Sequence, residues 1–325
     1  MNRRKIILDS LRRLPALNID SEPGLAFLTS QLEYLETQVY EKKREPLDYE
    51  ALVPISTEAG PHVESIVYRM KDFVGRGKRH SGQGGDIPRV DVFYGTKSVP
   101  VVGSAIGYAY TFAELRTAAA LNQPLDADRQ ETAMRAWRAH MNQVGLYGEE
   151  GERGEEPLTG LFNAPEVPQS SAGVDLMTAS PGQALEFIND HIAQLWMTTR
   201  RNSVVDTVAM PGRVLARLSS TPRSDNSDTT ILEFIRQNNL SKTERNIDVQ
   251  FRAAADLETA GKGKTSRMMF YEKNRENLVF HIPMALLFHA PEQRGLEMLV
   301  NGEYRYSGVE FRYPKTAMYV DDVMG

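Results

Sequence analysis

Between residues 63 and 110 the chain alternates with period two on both sides of a stretch that no core could absorb. Ile66, Tyr68 and Met70 alternate with Val67, Arg69 and Lys71, then Val90, Val92 and Tyr94 with Arg89, Asp91 and Phe93. That is the side-chain period of extended strands. The intervening VGRGKRHSGQGGDIP is glycine-rich, charged and almost free of large apolar groups, which predicts a hairpin tip. Two long strands joined by such a tip make an arm. Ordering an arm costs backbone entropy, and a lone hairpin has no interior to offset it.

The N-terminal region predicts a second extension. In LAFLTSQLEYLETQVYEKK, Leu25, Leu28, Leu32, Leu35 and Val39 line one helical stripe, which needs a packing partner. REPLDYEALVPI follows, and Pro46 and Pro54 suggest an extended tether there. After the hairpin, Thr111 and Glu114 stand in capping-box spacing. The helical pattern breaks at NQP and resumes after Asp126 for about five turns. Ala133, Trp137, Met141 and Val144, with Ala136 and His140 beside them, predict its buried face, and Gly145 or Gly148 can end it.

Residues 149 to 183 read as loop, beginning with the acidic EEGERGEE. From 181 to about 300, helical segments (PGQALEFINDHIAQLWMTT, TTILEFIRQNN) alternate with strands (NSVVDTVAMP, NIDVQFRAA, LVFHIPMALLFH), an α+β lobe. Val309, Phe311 and Tyr313 alternate with Glu310 and Arg312, predicting a closing strand.

Composition narrows the class. The 325 residues are 41% hydrophobic and 25% charged, ordinary for a globular chain able to bury a large core, and no apolar run is long enough for a bilayer. With no cysteine, disulfides and thiolate chemistry are excluded. The N-terminal KIIL is too short for a signal-peptide core, so cytoplasmic synthesis is expected. A net charge of −5 argues against a dedicated nucleic-acid-binding domain. Positive charge is local: Arg3, Arg4, Lys5, Arg12 and Arg13 at the N-terminus, Lys42 to Arg44, and Arg76, Lys78 and Arg79 at the hairpin tip.

Motifs for chemistry fail on inspection. ETAGKGKT ends like a phosphate-binding loop, but the required first glycine is Glu258, which puts negative charge where phosphate would sit. GSAIG at 103 to 107 has Ser104 in the wrong position for a nucleophile elbow. The six histidines show no metal-ligand spacing, and the glutamates of EEGERGEE lack the pattern of a calcium loop. No catalytic residue, cofactor site or metal site is assigned.

FLTSQLEYLETQVYEKKREPLDYEALVPI, DIPRVDV, GYAYTFAELRTAAALNQPLDADRQETAMRAW, LYGEEGERGEEPLTGLFNAP and MMFYEKNRENLVFHIPM together resemble the major capsid proteins of tailed double-stranded-DNA phages and prophages, with the Hong Kong 97 fold. The resemblance implies an N-arm over residues 1–50, an extended loop over 51–110, a peripheral domain over 111–175 with the spine helix, an axial domain over 176–296, and a return to the peripheral domain over 297–325. It implies an icosahedral shell of hexamers and pentamers around double-stranded DNA, with portal and, in some members, scaffold or decoration proteins as partners. Under it, Arg76, Lys78 and Arg79 contact a neighbouring subunit. Arg3, Arg4, Lys5, Arg12 and Arg13 face the interior and meet DNA through nonspecific charge. The location implied is the virion, after assembly in the host cytoplasm. Two alternatives stand beside it: an encapsulin-like compartment shell of the same fold, and a soluble enzyme using GKGKT for phosphate. Some family members crosslink through a lysine of the extended loop; Lys78 lies in that region, but no asparagine or assisting carboxylate matches, and the chemistry is not carried over.

Overall fold

Two strands with both faces buried organise the chain. In the computed structural model, described over residues 46–77, 89–121, 125–151, 156–224 and 227–324, β7 (Arg267–Tyr271) and β13 (Ala317–Asp321) pair antiparallel, Tyr319 opposite Met269. They are the centre of a five-stranded sheet ordered β4-β13-β7-β5-β6, with β4 at Gln169–Ser171, β5 at Thr207–Met210 and β6 at Gln250–Ala253. Successive side chains of a strand point to opposite faces. Met268, Phe270, Met318 and Val320 therefore enter one core, and Met269, Tyr271, Ala317 and Tyr319 enter another.

The first core is closed by α4 (Pro181–Thr198), α5 (Gly212–Ser220), α6 (Ile231–Gln237) and α7 (Leu240–Arg245). Ser180 caps α4, with Oγ accepting from Gln183 N–H and Gln183 Oε1 accepting from Ser180 N–H. Ala184, Ile188, Ile192 and Leu195 of α4 face the sheet side.

The second core gathers α1 (Tyr49–Leu52), the C-terminal part of α3 (Leu125–Tyr147) and a three-stranded sheet ordered β1-β8-β12. Those strands are β1 (Ile55–Ser56), β8 (Leu278–His281) and β12 (Val309–Phe311). The segment expected as an extended tether thus contains a short helix. Asn142 Oδ1 on α3 accepts from the N–H groups of Asp48 and Tyr49 at its start, and Tyr49 and Leu52 are buried.

A third sheet runs β10-β11-β3-β2, with β9 also pairing β11. Its strands are β2 (Ser65–Val74), β3 (Asp91–Thr111), β9 (Met284–Phe288), β10 (Glu292–Arg294) and β11 (Glu297–Ser307). Where β3 ends, Thr111 and Glu114 form the expected capping box and start α2 (Phe112–Leu121). On α3, Ala133, Met141 and Val144 are buried and Trp137 and His140 partly so, but Ala136 is exposed. The helix begins at Leu125, one residue before Asp126, and runs to Tyr147. Gly148 ends it at φ +72, with Leu158 O so close that a Cβ would lie 2.0 Å away.

Two strand assignments need correction. LVFHIPMALLFH is two strands in different sheets, because the chain leaves β8 at Ile282–Pro283 and joins β11 as β9. The closing strand is three: β11, β12 and β13. Gly308 separates the first two, where a Cβ would meet Thr159 backbone at 2.8 Å. The expected alternation also fails there, since Glu310 is buried and Tyr313 is 54% exposed.

Between β7 and β13 lies a buried ion pair. Arg267 Nε and a terminal guanidinium nitrogen donate to the two Asp321 oxygens at 2.7 and 2.9 Å, and the other terminal nitrogen donates to Phe162 O. The guanidinium also lies 4.5 Å from the Tyr319 ring centre. Burial raises the Asp321 pKa, but the Arg267 hydrogen bonds outweigh it and hold the carboxyl below its ordinary range. Asp321→Asn leaves Arg267 buried without its counter-charge, and the expected cost is about 3–5 kcal/mol. Urea denaturation of the unassembled subunit measures it; a loss below about 1 kcal/mol would place this pair among ordinary surface bridges.

Candidate functional site

The outer half of the β2–β3 hairpin has no core on either side. The pairing runs from Ser65↔Pro100 to Val74↔Asp91, which puts Phe73, Tyr94 and Val67 on one face and Val74 and Phe93 on the other. These residues are all exposed, Phe73 at 65% and Tyr94 at 68%. Alternation at 90–94 therefore does not sort buried from exposed positions: Val90, Phe93 and Tyr94 are all open, and only Val92 is partly covered. β2 is also the edge of its sheet, so one side of its backbone has no strand partner.

At its base the arm is held to the body. Lys97 Nζ lies 3.0 Å from both carboxylate oxygens of Glu166, and Arg312 lies 6.0 Å from the Tyr68 ring centre. The Lys97–Glu166 pair is solvent-exposed, so it contributes at most about 1 kcal/mol. Arg312 is itself fixed by Glu310: Nε donates to Oε1 at 2.8 Å, while His281 Nε2 donates to Oε2 at 2.5 Å. Burial and the nearby Glu310 and Glu166 push the Tyr68 phenol up to about 12. For Glu310, burial raises the pKa, but the hydrogen bonds from His281 and Arg312 prevail and leave it below its ordinary 4.5.

Beside the arm's base, Glu149 anchors a polar cluster between α3 and the sheet. Tyr306 OH donates to Glu149 and accepts from Ser104 Oγ at 3.1 Å. His140 Nδ1 is 2.8 Å from Tyr304 OH, and its Nε2 is 3.5 Å from Glu149. His140 is thus a partly buried helix-face residue tied to two tyrosines.

The GKGKT loop is a tight turn built around a carboxylate. Gly261 N–H donates to Thr265 O at 2.8 Å and Lys264 N–H to Gly261 O at 3.0 Å, while Gly263 and Lys264 take positive φ. Lys262 N–H, a donor of the kind a phosphate would use, instead donates to Asp321 Oδ2 at 3.1 Å.

Of the residues assigned from the sequence, Arg76 sits exposed just beyond β2. Lys78 and Arg79, the basic residues Arg3, Arg4, Lys5, Arg12 and Arg13, and the stripe Leu25, Leu28, Leu32, Leu35 and Val39 lie outside the described residues. Sequence reading missed the exposed aromatic residues as a surface, and missed the Lys97–Glu166 anchor, whose partners are far apart in the chain. Among the described residues no cluster of three or more acidic or histidine side chains could hold a metal ion.

The family model described as Major capsid protein matches residues 75–323. Among solved structures, the capsid of Myoviridae phage XM1 matches with a TM-score of 0.76 at 20% identity, covering 90% of this chain and 97% of that one. The capsid of a native GTA particle, computed with C5 symmetry, matches at 0.60 and 9% identity, covering 94% and 99%. Mycobacterium phage Ogopogo matches at 0.56 and 11% identity, covering 90% and 98%. At these identities the likeness is one of fold. No curated protein matches the chain in sequence.

Two outcomes follow from this geometry. Because Phe73 and Tyr94 touch little within their own subunit, Phe73→Ser with Tyr94→Ser should change subunit stability by no more than about 0.5 kcal/mol. A large fall in the melting temperature of the unassembled subunit would place these rings in a monomer core. Glu310 contributes stability fully above its unfolded pKa, and that contribution is lost as pH falls through the lower folded value. Glu310→Gln should therefore cost about 1–3 kcal/mol at neutral pH and flatten part of the loss of stability below pH 4.5. Urea midpoints for wild type and variant that stay parallel from pH 7 to 3 would count against it.

Proposed function

The chain belongs to the major capsid protein family, and from that premise we propose that it builds the icosahedral shell, in hexamers and pentamers, that encloses the double-stranded DNA of a tailed phage. Its α+β architecture is the Hong Kong 97-like fold, and a shell-forming protein of this family is part of the virion. The single observation that carries the finer reading is the hairpin arm. Exposed Val67, Phe73, Val74, Phe93 and Tyr94 on a two-stranded element are a poor state in water, and repeated neighbours cover them without enlarging the subunit.

In this reading the arm is the extended loop, α3 is the spine helix of a peripheral domain that also includes the closing strands, and the α4–α7 lobe is the axial domain. Arg3, Arg4, Lys5, Arg12 and Arg13 face the interior and meet DNA through phosphate charge, with no base readout. Leu25, Leu28, Leu32, Leu35 and Val39 pack the N-arm against a neighbour. A portal completes the shell at one vertex, scaffold or decoration proteins are further partners, and synthesis and assembly take place in the host cytoplasm. The protein's role is structural, with no catalysis assigned to it.

Negative-stain microscopy of the purified full-length protein tests the reading. Closed particles of megadalton mass are expected, and their yield should fall in the Phe73→Ser, Tyr94→Ser variant although the subunit still folds. A protein that stays a small oligomer under every assembly condition tried would overturn the shell assignment.

A further inference from the structure

The turn that ends α4 is made of residues its geometry disfavours. Asn202 N–H donates to Thr199 O at 3.2 Å, and the two residues between them, Arg200 and Arg201, take φ of +52 and +69. Two successive left-handed residues mark a type I′ turn, which selects asparagine and glycine because a Cβ is crowded there. Two arginines stand in their place. The surroundings hold them to it: Arg200 N–H donates to Met197 O, Arg201 N–H donates to Trp196 O, and one guanidinium nitrogen of Arg245 on α7 donates to the carbonyls of Arg201 and Asn202 at 3.2 and 2.6 Å. Thr199 Oγ1 accepts from Ser203 N–H at 3.3 Å.

The residue types that would relieve this turn carry no charge. Arginine at both positions therefore gives up stability and gains two guanidinium groups at a fixed place. A third joins them, because the Arg245 head lies against the carbonyls of the turn. Arg200, Arg201 and Arg245 are all exposed, and among the described residues neither turn arginine has a carboxylate within 4.0 Å. Glu272, 4.0 Å from Arg245, is turned inward, where it accepts from Ser203 Oγ and from Asn277 Nδ2. Arg201 lies over the Trp196 ring, 4.8 Å from its centre, which sets the direction of its fork.

We propose that the Arg200–Arg201 turn, with Arg245 beside it, is a phosphate-recognition site. A guanidinium fork donates to two oxygens of one phosphate at once, and a turn held rigid by its neighbours presents such forks without further ordering. The chemistry recognised is the phosphate oxyanion, carried by a free polyphosphate or by a nucleic-acid backbone. The site is complete within one folded subunit, so it goes beyond the shell reading and stands without it.

Arg200→Asn with Arg201→Gly, in the full-length chain, gives the turn the residues its geometry calls for. The unassembled variant should resist urea better than wild type, with a folded-to-unfolded ratio about fivefold higher, and should lose its ligand. Pyrophosphate is expected to raise the urea midpoint of wild type above its value in sodium chloride of equal ionic strength, and to leave that of the variant where it is. A short DNA duplex, followed by fluorescence anisotropy, is expected to bind the variant at least about fivefold more weakly, with a salt dependence shallower by about two phosphate contacts. Loss of the pyrophosphate effect alone identifies a free anion as the source of the phosphate; loss of duplex affinity alone identifies the nucleic-acid backbone. Arg116→Gln with Arg294→Gln removes two exposed charges elsewhere and should leave both readouts as in wild type. A variant that binds both probes as wild type does, a control that loses as much as the variant, or a variant that gains no stability would each overturn the proposal. Failure of the wild-type protein to form particles is a different result: it removes the shell reading and leaves this one standing.

Discussion

The burial of β7 and β13 on both faces is the constraint on which the rest of the structure depends. Two strands shared by two cores leave the flanking layers little freedom: the α4–α7 lobe must cover Met268, Phe270, Met318 and Val320, while α1, α3 and the small β1-β8-β12 sheet must cover Met269, Tyr271 and Tyr319. A change at any of these positions is felt in one core directly and in the other through a shared backbone. The Arg267–Asp321 pair sits on this strand pair, and its spare hydrogen bonds reach Phe162 on one side and Lys262 on the other. A buried ion pair gives little net stability, but it penalises any register other than the one that brings both partners together.

The body and the arm follow opposite rules. Inside, large apolar groups are covered and charges are paired. On the hairpin, aromatic residues face water on both sides, and the Lys97–Glu166 pair that ties its base to the body is weak and screened by salt. A subunit with this division is complete as a folding unit and incomplete as a surface.

How much of this was legible in the sequence depended on how many faces each element buries. The hairpin and α3 have a covered side and an open side along part of their length, so period two and period 3.6 could be read from Ile66–Met70 and from Ala133–Val144. RMMFY carries no such period because every residue is buried, and β7 was accordingly missed as a strand. Glu310 looked like the outward half of an alternation; only the fold brings His281 and Arg312 to it. Ile282–Pro283 hides a change of sheet inside one apolar run. At the candidate site, Arg76 was readable from charge. The Glu149 cluster was not, since Ser104, His140, Glu149 and Tyr306 meet only when α3, β3 and β11 come together.

β3 is a single strand of 21 residues, about 70 Å at an extended rise. Its first half belongs to the arm and its second half is hydrogen-bonded to β11 from Val101 to Thr111, ending in the cap of α2. No loop or hinge residue separates the two halves. Mechanically the hairpin is a cantilever clamped in the body, and a load applied at its tip arrives as a bending moment on the β3–β11 ladder. Hydrogen bonds in an antiparallel ladder share such a load along the whole overlap, so the joint resists shear and yields first by twisting. A neighbour pressing on the arm would therefore bend and twist a continuous sheet, and the curvature of an assembly would be set by the elasticity of that sheet.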